Sequence, residues 1–195
     1  MQTLFARSAW IFDLDGTLTL AAHDFDAIRA ELGLPDGPIL ESIARRSADE
    51  AAALHQRLAD IERDIARAGR PQPGARELLE RLTEQGGRRL GIVTRNRRDL
   101  ALITLEAAGL LGFFDEEDVL GRDCAAPKPS PAALERLLGR WGRRGDEAVM
   151  VGDYLFDLQA GRAVGAATVH LDVDGAFAFA DWADVGVRSL GELLA

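Results

Sequence analysis

Short apolar runs alternate along the chain with segments whose hydrophobic residues recur at helical spacing, the pattern of a parallel α/β sheet. The runs predict strands at Trp10–Leu14, Leu90–Thr94, Val119–Leu120, Ala148–Gly152 and Thr168–Leu171. They are nearly continuous in apolar residues, as strands covered on both faces should be. Between them the spacing predicts helices at Ala75–Gln85, Arg97–Ala108, Pro131–Trp141 and Leu155–Val164. Ser130 before Pro131 reads as an N-cap followed by a first-turn proline. Gly86-Gly87 and Gly109 stand where helix C-caps are expected.

One stretch breaks the alternation. From Leu20 to Arg70, 51 residues pass with no convincing strand. Phe25, Ile28 and Leu32 repeat at helical spacing, and so do Leu54, Leu58, Ile61 and Ile65. Leu34-Pro35-Asp36-Gly37-Pro38 divides the stretch into at least two helical pieces. Arg70-Pro71-Gln72-Pro73-Gly74 is a stiff connector back to the alternating pattern. The expected organisation is therefore a Rossmann-like parallel-sheet core, residues 1–19 and 71–195, with a small all-helical insertion, residues 20–70, placed directly after the first strand.

Composition narrows the class. The 195 residues are 47% hydrophobic and 28% charged, a globular profile. The longest stretch free of Asp, Glu, Lys and Arg is nine residues, Ala163 to Leu171. A membrane-spanning helix needs about 20, and the N-terminus lacks the apolar region of a signal peptide, so a cytoplasmic location is expected. The net charge of −9 disfavours nucleic acid and anionic membranes as partners. The single cysteine, Cys124, can form no internal disulfide and reads as an inert thiol. Of 23 basic residues only Lys128 is lysine, which invites a specific reason for it.

Two pairs of carboxylates supply that reason. Asp13 and Asp15 end the first strand in Phe12-Asp13-Leu14-Asp15-Gly16-Thr17. Residues two apart on extended chain point to one side, so both acids are delivered where open α/β sheets place ligands. Ordinary Asp-Gly turn chemistry, or Asp13 as a cap, is the structural alternative. Asp153 and Asp157 follow the run Ala148–Gly152, four apart on one face of the helix that begins there. A first-turn capping pair would explain either acid singly. If the two strands are neighbours, the carboxylates converge and repel by about 4 kcal/mol per pair at about 4 Å and an effective dielectric near 20. Such a cluster needs a cation, and an all-oxygen site beside a phosphate suits Mg²⁺. Thr94-Arg95-Asn96, ending another strand, offers a hydroxyl, amides and main-chain N–H groups to an anion. Lys128, held between Pro127 and Pro129 in extended chain, can bridge carboxylates and a phosphoryl group.

Asp13-x-Asp15-Gly16-Thr17-Leu18, Thr94, Lys128 and Gly152-Asp153-x-x-x-Asp157 together resemble the four motifs of the haloacid dehalogenase superfamily, in the family's order. The resemblance covers nearly the whole chain; Val187–Leu193 is similar to the last helix of such proteins. The insertion resembles the type 1 cap of the phosphoglycolate phosphatase-like branch. The resemblance implies a phosphatase in which Asp13 is the nucleophile that forms an aspartyl-phosphate. Asp15 would protonate the leaving alcohol and then activate water. Asp13, the backbone carbonyl of Asp15 and Asp153 would hold Mg²⁺, with Asp157 just behind them. Thr94, the Arg95–Asn96 backbone and Lys128 would hold the phosphoryl oxygens. The true dehalogenases of the superfamily lack an acid at the Asp15 position, so phosphate esters are implied. Thr19-Leu20-Ala21 departs from the acidic residue and Ser common in the branch, and the insertion is shorter than many type 1 caps. Both differences bear on the leaving-group side.

The expected substrate is a small-metabolite phosphomonoester, phosphoglycolate-like, and the expected state a monomer or homodimer. The alternatives are a phosphotransferase or mutase of the same fold, β-phosphoglucomutase-like, and a non-catalytic phosphate-binding protein. His23, His55 and His170 show no metal-ligand spacing. His23 stands where the chain enters the insertion, and Arg45-Arg46 reads as a solvated helix face that could also meet an anionic leaving group. Leu54–Ile65 reads as packing within the insertion, with dimerisation the other use of such a face.

Overall fold

The computed structural model describes every residue except Met1, Ala22, His23, Pro38 and Gln85; His23 therefore lies outside the described residues. A short helix, α1 (Gln2–Phe5), precedes β1 (Ala9–Phe12). Three helices follow with no strand between them: α2 (Phe25–Leu32), α3 (Ile39–Ala44) and α4 (Ala48–Arg67). The alternating part then runs α5 (Ala75–Glu84), β2 (Arg89–Val93), α6 (Arg98–Ala107), β3 (Val119–Leu120), α7 (Ala132–Trp141), β4 (Ala148–Gly152), α8 (Leu155–Ala163), β5 (Ala167–Leu171) and β6 (Val185–Val187).

Side chains alternate across a strand, so β1 feeds two cores at once. Trp10 and Phe12 join Leu78, Leu79 and Leu82 of α5 and Ala101 and Leu105 of α6 on one face of the sheet. Ala9 and Ile11 join Leu134, Leu137 and Leu138 of α7 and Ala160 of α8 on the other. With both faces covered, β1, β4 and β5 are buried throughout, which is why their sequences read as unbroken apolar runs.

The six strands are parallel, in the order β3-β2-β1-β4-β5-β6. After β1 the chain builds outward through β2 to β3, then returns to the other side of β1 to add β4, β5 and β6. The order reverses beside β1, and a doubly wound sheet opens its ligand crevice at that point. This is the α/β, Rossmann-like architecture expected from the alternation.

The helices α2–α4 pack on one another through Ile28, Leu32, Ile43 and Leu58, with Leu54, Ile61 and Ile65 partly buried alongside. Their connectors run side by side: Leu20 N–H donates to the Arg70 carbonyl at 3.0 Å, and Gln72 N–H to the Leu18 carbonyl at 2.9 Å. The helices thus leave and rejoin the core at one place. Contacts between α4 and α6 seat them against the sheet-covering layer.

Several expectations are corrected. β1 ends at Phe12 and β2 at Val93, because the chain turns out of the sheet immediately afterwards. β6 was not expected; only three residues long and with only Val187 buried, it has too weak an apolar pattern to register. The helix expected at the C-terminus spans Leu190–Leu194 and is a 3₁₀ helix. Pro131, not Ser130, is the N-cap of α7. Arg45 and Arg46 sit in the exposed turn between α3 and α4, not on a helix face. Among the described residues no helix is long and apolar enough to cross a membrane.

Leu134 is fully buried between α7 and the sheet. Leu134→Ala should cost about 2–5 kcal/mol, read in a thermal melt as a fall in Tm of roughly 5–15 °C.

Candidate active site

Register alone brings three strand ends together. Phe12 of β1 is paired with Ile92 of β2 on one side and Val151 of β4 on the other. One residue further lie Asp13, Val93 and Gly152, and then Thr94 and Asp153. Asp13 still donates its N–H to the Val151 carbonyl at 2.9 Å, so it leaves the sheet as the last paired residue of its strand.

The turn after Asp13 is built on Leu14. Its carbonyl accepts from the main-chain N–H groups of Thr17, Leu18 and Thr19 and from the Thr19 hydroxyl. This folds Asp15-Gly16-Thr17 back over the crevice. Gly16 has φ +92°, and a Cβ there would lie 2.5 Å from Asp153 Oδ2. Only glycine fits on both counts. Thr17 Oγ1 donates to Asp153 Oδ1 at 3.0 Å and so fixes the carboxylate that Gly16 admits. Gly152 plays the matching part on β4, since a Cβ there would lie 2.2 Å from the Asp157 Cβ. Asp157 also accepts from Tyr154 N–H at 3.0 Å. That is the first-turn capping role considered for it, held together with a place in the cluster.

Oxygens of Asp13, Asp153 and Asp157 all lie within 4.8 Å of one another. Lys128 reaches into the group, its Nζ 2.5 Å from Asp13 Oδ1 and 2.5 Å from Asp157 Oδ1. The ammonium is almost completely buried. The segment that delivers it turns at Lys128-Pro129, whose peptide bond is cis, and does not run extended as the flanking prolines suggested. Asp15 is half-buried on the turn, and its carboxylate is not part of the cluster; its expected contribution to a metal was through the main-chain carbonyl.

Three carboxylates share the space with one ammonium, and the imbalance shows in the proton affinities of Asp153 and Asp157. Burial, then the charges of Asp13 and Asp157, push Asp153 up to about 7 against the bond from Thr17. Burial and Asp13 likewise raise Asp157 to about 6, although Lys128 and the Tyr154 N–H oppose this. Lys128 is raised: burial disfavours its charge, but Asp13 and Asp157 outweigh burial. The raised proton affinity of Asp153 and Asp157 marks a place where a second cation would offset charge. An all-oxygen donor set with unbalanced negative charge fits a hard divalent ion such as Mg²⁺.

The remaining expected residues fall at the end of β2. Thr94 and Asn96 are buried. Asn96 N–H donates to Thr94 Oγ1 at 3.0 Å, which leaves the hydroxyl's own proton to donate elsewhere. Thr94 N–H is taken by the Leu120 carbonyl at 3.0 Å, so the two main-chain donors of Thr94 and Asn96 are already used within the protein. The Arg95 side chain is exposed, its guanidinium 5.0 Å above the Phe156 ring. That contact joins the loop after β2 to the first turn of α8, which follows β4 on the other side of the strand that carries Asp13.

Sequence reasoning missed Thr17 as the partner of Asp153, Phe156 as the seat of Arg95, and His170. His170 is buried, its Nε2 3.2 Å from the Asp153 carbonyl, where an accepting oxygen calls for the Nε2–H tautomer. The only signal for it is the pairing of Gly152 with His170, which requires knowing that β5 adjoins β4. His55 is exposed on α4.

Because Asp153 is raised when folded, the folded chain binds more protons than the unfolded one between about pH 4 and 7. This group's contribution therefore lowers stability as pH rises through that window. Metal-free protein should lose Tm between pH 5 and 8, and Asp153→Asn should lose roughly 3–6 °C less over the same interval. Mg²⁺ should release close to one proton per ion at pH 6 and far fewer at pH 8, measured by calorimetry in buffers of different ionisation enthalpy.

Comparison with known proteins agrees with this architecture. Residues 8–165 match the sequence pattern of haloacid dehalogenase-like hydrolases. A phosphoglycolate phosphatase of Rhodospirillum rubrum is 32% identical over 190 residues, covering 83% of this chain and 78% of that protein. The pyrophosphatase PpaX of Halalkalibacterium halodurans is 30% identical over 176 residues, covering 81% and 80%. The crystal structure of a predicted phosphoglycolate phosphatase from Haemophilus somnus superposes with a TM-score of 0.77 at 21% identity, over 97% of each chain. With the reversed strand order and the clustered acids at its crevice, the chain belongs to the haloacid dehalogenase-like hydrolase family.

Proposed function

We propose that the protein is a Mg²⁺-dependent phosphatase that hydrolyses a small-metabolite phosphomonoester, phosphoglycolate-like, through an aspartyl-phosphate on Asp13. The observation that carries this reading is the meeting of Asp13, Asp153 and Asp157 with the buried ammonium of Lys128. Burying three carboxylates beside one ammonium is costly without further compensation. Relatives named as phosphatases support the reaction class.

In the first step a carboxylate oxygen of Asp13 attacks phosphorus and the ester P–O bond breaks. The departing alkoxide takes a proton from Asp15, which the Leu14-centred turn holds over the crevice. In the second step Asp15 takes a proton from water, whose oxygen attacks phosphorus; the bond to Asp13 breaks and inorganic phosphate leaves. Lys128 and the free hydroxyl proton of Thr94 face the phosphoryl oxygens, where charge develops. Asp13 and Asp153 with the Asp15 carbonyl are the proposed holders of Mg²⁺, with Asp157 fixing Lys128 behind them. The ion, when bound, supplies positive charge to the transferring phosphoryl group.

The helices of residues 20–70 are proposed as a cap over the leaving-group side, with residues 1–19 and 71–195 as the catalytic core; the paired connectors at Leu18–Leu20 and Arg70–Gln72 support that division. The proposed setting is the cytoplasm, and the partner a soluble phosphate ester rather than nucleic acid or membrane.

Release of inorganic phosphate should be measured from p-nitrophenyl phosphate, phosphoglycolate, pyrophosphate, sugar phosphates and nucleotides. Turnover should require Mg²⁺, stop with EDTA, and fall by more than about a thousandfold in Asp13→Asn. A folded protein that binds Mg²⁺ and releases phosphate from none of these would overturn the reading.

A further inference from the structure

A cavity of about 440 Å³ opens between α6, the edge strand β3 and α7. That lies within the roughly 300–1,000 Å³ typical of small-molecule sites. Its apolar floor is Leu120 and Leu137, both buried. Its walls carry three arginines, Arg98, Arg136 and Arg140, together with Glu117 and Cys124.

The arginines are not equivalent. Arg140 is paired with Glu117 and with Asp118, the latter at 3.0 Å, so its charge is balanced and Glu117 is consumed. Arg98 donates from Nε to the Val119 carbonyl at 3.2 Å and from Nη2 to the Glu116 carbonyl at 2.8 Å. Arg136 donates to the Cys124 carbonyl at 3.0 Å. Among the described residues no carboxylate lies within 4.0 Å of either guanidinium, whereas most arginines on this acidic chain that make polar contacts find one. Asp123 spends Oδ1 on the Arg98 main-chain N–H. Two guanidinium groups are thus anchored by neutral carbonyls and, among the described residues, have no carboxylate partner within 4.0 Å beside an apolar-floored cavity.

We propose that this cavity is a second anion site, which takes a small organic acid whose oxyanion group meets Arg98 and Arg136 and whose apolar part lies over Leu120 and Leu137. Planar guanidinium forks match an oxyanion bidentately. The cavity also adjoins the candidate catalytic site through the chain. The Leu120 carbonyl holds Thr94 N–H, and the segment from Gly121 leads past Cys124 to Lys128. The inference does not depend on the identity of the substrate hydrolysed.

The chain's one thiol lines the cavity and reports on it. Alkylation of Cys124 should be timed with iodoacetate, an anion, and with iodoacetamide, its neutral analogue. The same thiolate attacks the CH₂ carbon of each and displaces iodide, so the ratio of rates cancels its abundance and reads the local field. Relative to a cysteine peptide, the wild-type ratio should favour iodoacetate by about three- to tenfold, and the double variant R98Q/R136Q should abolish the preference. Citrate or inorganic phosphate, without Mg²⁺, should slow the iodoacetamide reaction in the wild type and not in the variant. A ratio equal to the peptide's, or unchanged in the variant, would overturn the proposal. Independently of thiol reactivity, the Arg98 and Arg136 Nε–H resonances, assigned from the single variants, should shift in a saturable way with citrate. Their failure to move would also overturn it, whatever the outcome of the phosphatase assay.

Discussion

The geometry at the crevice depends on one buried ammonium. Lys128 stands between Asp13, at the end of β1, and Asp157, in the first turn of α8. Without it three acids would share one low-dielectric space, where each close pair repels by several kcal/mol. With it the three carboxylates still outnumber the ammonium by two, and the raised proton affinities of Asp153 and Asp157 express that shortfall. That excess of negative charge is what a bound divalent cation would offset.

The supports around the ammonium follow from that demand. Gly16 and Gly152 give up side chains so that Asp153 and Asp157 can approach the main chain closely. Thr17 and the Tyr154 N–H then fix the two carboxylates in place. Leu14, whose carbonyl gathers three N–H groups and a hydroxyl, sets the turn that carries Asp15 above the crevice. The buried strands beneath provide the rigid platform that such close spacing requires.

The same sheet places a different chemistry at its edge. β3 is two residues long and ends the sheet, so α6 and α7 do not close over it completely, and arginines line the gap. Leu120 faces that gap with its side chain while its carbonyl holds the main chain of Thr94. Crevice and edge cavity are neighbours through a single residue.

The apolar runs and helical spacings determined the α/β alternation, five of the six strands, and the helical insertion, because burial on both faces of a parallel sheet leaves a strong one-dimensional trace. The motifs carried Asp13, Asp15, Thr94, Lys128, Asp153 and Asp157, because strand ends followed by Gly or Pro turns are readable locally. Strand order is a different kind of information. Only the tertiary structure decided that β2 and β4 flank β1, and hence that Asp13 meets Asp153 and Asp157, that Arg95 reaches Phe156, and that His170 lies behind Asp153. The same holds for the edge cavity, whose arginines sit at positions 98, 136 and 140 with no shared local pattern. Those contacts are set by which surfaces pack together, and packing partners far apart in the chain leave no period in the sequence.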